Sequence, residues 1–211
     1  MVSNAGFAVV GIFGVIKVLG QNRRDIFFGK TDAWPYAVYF FGVILVSLGS
    51  SYYHWAPTNE RLLWDRLPMS IAFMAFVSAI IADRIDTKAG DIWLLPPLVV
   101  MGLLSLLYWD WTETMGRGDI RFYAFVQFYP IVLLPFVIWL FAQYRYTISV
   151  YIVWIIIWYG LSKILEQFDS EVFDILGGTV SGHTLKHLAA TVSVFVALRM
   201  LLARRSSPAI L

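Results

Sequence analysis

Apolar runs long enough to cross a bilayer follow one another at roughly 3–20, 35–53, 67–83, 91–108, 120–142, 147–166 and 180–203. A spanning helix needs about 20 mostly apolar residues, and each run meets or approaches that length. Short polar connections separate them. Many ends carry an amphipathic ring: Trp34, Tyr52, Tyr53, Trp55, Trp64, Trp93, Trp109, Trp111, Tyr144 and Tyr146. Such rings settle at the headgroup level. No Gly/Ser-rich linker, internal repeat or low-complexity stretch divides the chain. The pattern predicts one domain over 1–211, an all-α membrane protein built as a seven-transmembrane-helix bundle.

Composition agrees. Of 211 residues, 59% are hydrophobic and only 14% charged, and mean hydropathy is +0.71. A soluble domain carries about 25% charged residues, so the excess apolar surface here must face lipid. A net charge of +2 gives no support to nucleic-acid binding. The absence of cysteine removes disulfides, iron–sulfur clusters and thiolate metal sites. Any metal must be held by His, Asp or Glu.

Charge also sets direction. No basic residue precedes the first apolar run, and Lys17, Arg23 and Arg24 come at or after its end, so it reads as a span rather than a cleavable signal. Arg23, Arg24, Lys30, Arg84, Lys88, Arg145, Arg204 and Arg205 fall in the odd connections and the C-terminal tail. The even connections hold only Arg61, Arg66, Arg117 and Arg121, among many acids. The positive-inside bias predicts the N-terminus outside and the C-terminus in the cytoplasm.

That topology gathers the polar chemistry. The three histidines are His54, at the end of the second span, and His183 and His187, at the start of the seventh. All belong to the non-cytoplasmic side. His183 and His187 are four apart, so their rings share one helical face, as two ligands of one metal require. In the zinc-protease motif a Glu follows the first His; here Thr184 stands there, so any base must come from elsewhere. His54 supplies a third nitrogen, which leaves the open position of a catalytic zinc. Nickel or cobalt would suit the same nitrogens.

Ser50 lies one turn before His54, and Asp65 stands at the start of the third span on the same side. Asp65 has two readings: a carboxylate handling a proton or orienting a histidine, and a helix cap just ahead of Pro68. Ser50 can equally bond back to its own helix. Lys163 and Glu166 are spaced to pair on one face. They and Lys186 are expected to snorkel toward the outer interface, as Lys17 and Arg199 do toward the inner one.

In the ordered set Ser50-x-x-x-His54, Asp65 and His183-x-x-x-His187, the chain resembles the alkaline ceramidase family, within the wider CREST group of seven-helix membrane hydrolases. The resemblance covers nearly the whole chain, including helix count and sidedness. It implies that His54, His183 and His187 hold one catalytic Zn2+. Asp65 and Ser50 would act beside it as catalytic residues, handling the proton and polarising the carbonyl. The implied reaction is hydrolysis of the N-acyl amide of a ceramide-like lipid to a sphingoid base and a fatty acid. Relatives carry an acidic, calcium-binding segment before the first span. This chain starts at Met1-Val2-Ser3-Asn4-Ala5, so no calcium site is expected.

Other readings differ in what they require. Another CREST-type zinc hydrolase would cut an ester or a lipid anchor with the same motifs. A seven-helix receptor with a structural metal needs a partner surface, and the short cytoplasmic connections offer little; no protein partner is expected. A transporter would show matched broken helices; Pro96-Pro97 is expected to interrupt the fourth span, and Pro130 and Pro135 lie in the fifth, but these do not form matched halves. The expected setting is a bacterial inner membrane, or endomembranes in a eukaryote.

Overall fold

The computed structural model describes residues 2–20, 26, 27, 29, 31–141 and 149–204. Arg23, Arg24, Lys30, Tyr144, Arg145, Tyr146 and Arg205 lie outside the described residues. The elements are α1 (Ala5–Leu19), preceded by a short turn at Val2–Asn4, then α2 (Trp34–Trp55), α3 (Asn59–Arg84) and α4 (Leu95–Thr114). They continue with α5 (Arg121–Leu140), α6 (Ser149–Gln167), a short α7 (Asp169–Ile175) and α8 (Gly182–Leu202). Seven helical stretches are long and apolar enough to span a membrane, the first counted from Val2 and the fourth from Ala89. The protein is an integral, multi-pass, all-α bundle.

Packing arranges six spans in a ring. α1 touches α2 and α8, α2 lies along α3, α3 meets α5, and α6 pairs with α8. α5 and α6 make few contacts, and this seam is the loosest join in the ring. α4 packs outside, against α3 and α5. Outward faces carry bare apolar side chains, among them Phe13 and Ile16 on α1 and Phe125, Val132, Phe136 and Trp139 on α5. In water these would be unpaired greasy patches; in a bilayer they are the lipid surface. Tyr36, Phe40, Ile80, Ile152 and Met200 fill the interior.

Two expectations need correction. The third span does not begin at 67. α3 starts at Asn59, where the Thr58 hydroxyl accepts from the Arg61 amide at 3.3 Å. Hydropathy detects only its lipid-facing part, since Asn59-Glu60-Arg61 forms a polar prelude of the same helix. Asp65 is therefore an interior helical residue and not a cap. Pro68, likewise, is inside the helix and cannot donate to the Trp64 carbonyl one turn back. Pro96 and Pro97 do not break the fourth span either. A π-helical turn (Ala89–Leu94) precedes them, and the helix continues through both. Arg84 and Arg204, which the sequence assigns to a connection and to the tail, have buried side chains.

Those two arginines turn inward at the end of the bundle remote from the histidines. The Asp83 carboxylate accepts from the Tyr36 hydroxyl and from Arg204 Nη2, each at 2.5 Å. The Arg204 guanidinium lies 4.5 Å above the Tyr36 ring and 5.0 Å above that of Phe27. Arg84 donates to the Phe141 carbonyl at 3.1 Å and to Ser149 Oγ at 2.9 Å. These bonds tie α2, α3 and α8 together, and fasten the lower ends of α5 and α6. The N-terminal turn and the C-terminal Arg204 thus occupy opposite ends, as seven alternating spans demand.

Candidate metal centre

Local capping fixes the two α8 histidines. The Ser181 hydroxyl accepts from the Thr184 amide at 3.1 Å, and Asp169 Oδ1 accepts from the His183 amide at 2.6 Å. Both satisfy donors that a helix start otherwise leaves bare. Asp169 belongs to α7, so this unforeseen helix anchors the base of His183. Gly182 permits the approach. A Cβ there would lie 2.4 Å from the Leu165 carbonyl oxygen and 2.8 Å from the Asp169 Cα.

The last turn of α2 brings His54 to meet them. Nε2 of His54 lies 2.9 Å from Nε2 of His183, which lies 3.1 Å from Nε2 of His187. Among the described residues this is the sole group of three or more potential metal ligands drawn together. His187 is buried and the other two are half-buried. The Phe7 ring stands edge-on to His187, with centroids 6.0 Å apart.

A polar partner not foreseen from sequence orients His187. Asn4, 1% exposed at the start of the first span, places Oδ1 against His187 Nδ1 and donates from Nδ2 to Ser51 Oγ at 3.3 Å. With its amide nitrogen turned to Ser51, Asn4 can only accept from the imidazole. His187 therefore carries its proton on Nδ1 and leaves Nε2 as a bare lone pair. The only sequence signal was a lone amide in an apolar run.

The donor set fits a metal. A neutral imidazole has one donor and one acceptor nitrogen, so three converging Nε2 atoms cannot all satisfy one another. At about 2.0–2.1 Å per bond, a tetrahedral zinc holds its nitrogens roughly 3.4 Å apart, close to the spacing seen. The cluster can bind a metal ion.

Ser50 and Asp65 sit beside it. Ser50 is 2% exposed, and its side chain is turned toward the Asp65 carboxylate across the cavity wall, so it faces α3 rather than its own helix. Close contact between the helices makes this possible. A Cβ on Gly49 would fall 2.1 Å from the Trp64 carbonyl oxygen, the very oxygen that Pro68 leaves without an amide partner.

All but His54 of these five residues line a cavity of about 510 Å³ within the ring. Its wall is drawn from α1, α2, α3, α5, α6 and α8, with no residue of α4. The polar end holds the histidines; the remainder runs inward between Tyr39, Phe76, Leu134, Ile155 and Val194. The size suits an organic ligand.

Lys163, Glu166 and Lys186 line the same cavity rather than snorkelling away from it. The Lys163–Glu166 pairing expected from spacing is present at 2.6 Å, and Lys186 reaches the other Glu166 oxygen, also at 2.6 Å. Arg66 joins them, with its guanidinium 4.9 Å from the Trp109 ring and 5.4 Å from that of Tyr123. Outside the spans, Asp119 is held well below the usual carboxylate range by Arg121, remote from this chemistry. No family model, curated protein or solved structure matches the chain.

Proposed function

We propose that this protein is a zinc-dependent intramembrane hydrolase that cleaves the N-acyl amide of ceramide-like lipids, releasing a sphingoid base and a fatty acid. One observation carries the reading: three convergent imidazoles stand at the polar end of an apolar cavity enclosed by lipid-facing helices. The charge asymmetry of the connections supports placing that end on the outer side of a bacterial inner membrane.

His54, His183 and His187 would hold the metal. Zinc supplies Lewis acidity and makes water a nucleophile at neutral pH. The chain's own residues do the rest. The apolar depth of the cavity takes an acyl chain and leaves the amide at the polar end. Ser50 is placed to donate to the amide oxygen as negative charge develops there, a contact that strengthens where water is scarce. Asp65 takes the proton of the attacking water and returns it to the departing amine nitrogen. Both groups line the same polar end of the cavity, which puts them on one side of the reacting carbon. The seam between α5 and α6 is the loosest path from the bilayer to the cavity.

The test is mass spectrometry of products after detergent-purified protein meets a panel of ceramides and matched ester lipids. Native protein is expected to release sphingoid base and fatty acid, and His183→Ala to release neither. Cleavage of esters alone would move the substrate class. Retention of both zinc and activity by His187→Ala would overturn the scheme.

A further inference from the structure

Cations outnumber acids around the polar end of the cavity, where Arg66, Lys163 and Lys186 stand with Asp65 and Glu166. Lys163 and Lys186 share one carboxylate, Glu166. Their side chains are only 25% and 19% exposed. Arg66 has no ion-pair partner among the described residues and rests on aromatic faces instead. Taken together, three cations (Arg66, Lys163 and Lys186) against two carboxylates (Asp65 and Glu166) leave a surplus of one positive charge in a partly desolvated chamber. A metal held by the neighbouring imidazoles would add to it. Like charges gathered where the dielectric is low repel strongly, and ionisable groups at membrane depth serve function by default.

The cations also flank the reacting groups. Arg66 follows Asp65 on α3, and Lys186 precedes His187 on α8; all four line one cavity. They occupy its headgroup end, away from the apolar depth.

We propose that Arg66, Lys163 and Lys186 form a site for an oxyanion on the amine side of the lipid, a phosphate or a carboxylate. The preferred substrate is then an N-acyl lipid with an anionic headgroup rather than a neutral one. This rests on the hydrolase reading for the word substrate, but not for binding. The guanidinium fork of Arg66 suits two oxygens of such a group, and the lysines serve as point charges. One ligand charge would offset the surplus that Asp65 and Glu166 leave.

Binding separates this site from the metal. The full-length protein in neutral detergent is titrated with myristyl phosphate, myristate and myristyl alcohol at two salt concentrations. At least one anionic amphiphile is expected to bind about tenfold tighter than the alcohol, and which one does so identifies the headgroup class. The advantage should shrink in high salt. It should persist in chelator-treated His183→Ala, fall several-fold in Arg66→Gln and in Lys186→Gln, and stay intact in Arg117→Gln, which alters a cation outside this cavity. Arg66→Lys should recover part of it. Equal affinity for all three amphiphiles would overturn the site, as would an advantage that survives Arg66→Gln and Lys186→Gln. So would an equal loss in Arg117→Gln, or disappearance in His183→Ala, which would assign the anion to the metal. Ceramide hydrolysis without anion preference would remove this site alone, and anion binding without hydrolysis would remove only the enzymatic reading.

Discussion

The Asn4 side-chain amide accepts a hydrogen bond from His187 Nδ1, joining residues 183 positions apart. The turn that opens the first span thereby sets the tautomer of a ligand carried by the last helix. Partners that orient metal-bound imidazoles typically account for about 10–100-fold in metal affinity. Asn4→Ala is expected to weaken zinc binding by that order, measured by competition with a chromogenic chelator. Asn4→Asp, which keeps the acceptor, should restore most of it. Unchanged affinity in Asn4→Ala would show that the contact does not tune the site.

Asp65 and Ser50 should separate chemistry from metal retention. Asp65→Asn is expected to lower kcat by about 10²–10⁴-fold with zinc content unchanged by elemental analysis. Ser50→Ala should lower kcat less. Loss of zinc in Asp65→Asn would instead make that carboxylate a ligand.

The junction of Gly49 with the Trp64 carbonyl makes a third case. A methyl group at Gly49 would sit 2.1 Å from that oxygen, so α2 and α3 must part. Overpacking of this kind costs about 1–3 kcal/mol. Gly49→Ala should lower thermal stability and also reduce activity, because Ser50 moves off Asp65. An alanine variant with native activity would show that the two helices can separate without disturbing the pair.

Filling the apolar depth should act on chain length alone. Ala190 lines the cavity one turn beyond Lys186. Ala190→Phe is expected to raise KM for long acyl chains and spare short ones, with kcat on the short chains preserved. Equal effects on both would place the acyl chain elsewhere.

At the opposite end, Asp83 holds Tyr36 and Arg204 in a buried cluster. Removing one partner of a buried pair leaves a stranded charge, at a cost of about 3–5 kcal/mol. Asp83→Ala should therefore lower the melting temperature sharply in detergent while leaving zinc affinity per folded molecule unchanged. A melting temperature equal to the native one would mean that Arg204 finds another partner.

The spans were legible because lipid imposes a length and a polarity that any sequence must display. His183 and His187 were legible because a helix puts positions four apart on one face, and His54 joined them through the parity of the crossings. What escaped notice depended on three-dimensional neighbours. Asn4 is one amide in an apolar run, and nothing local distinguishes it from a polar residue facing a lipid headgroup. Glu166 lies 20 residues from Lys186, beyond any helical spacing rule. The start of α3 was misplaced because Pro68 resembles a first-turn proline. In fact the helix runs through it, and the carbonyl it frees abuts Gly49 of α2.

The seam between α5 and α6 behaves mechanically like a clasp. Arg84 pins both helices at one end, through the Phe141 carbonyl and the Ser149 hydroxyl. Toward the histidines the two are fastened by Gln127 Nε2 donating to the Tyr159 hydroxyl at 3.0 Å. A bond of that kind is worth about 0.5–1.5 kcal/mol net, little more than thermal energy. Spreading the free end by pivoting about the pinned one is thus a soft deformation, whereas sliding or detaching the pair is stiff. The weakest part of the cavity wall therefore faces the hydrocarbon, between α5 and α6, at the depth where its polar groups lie.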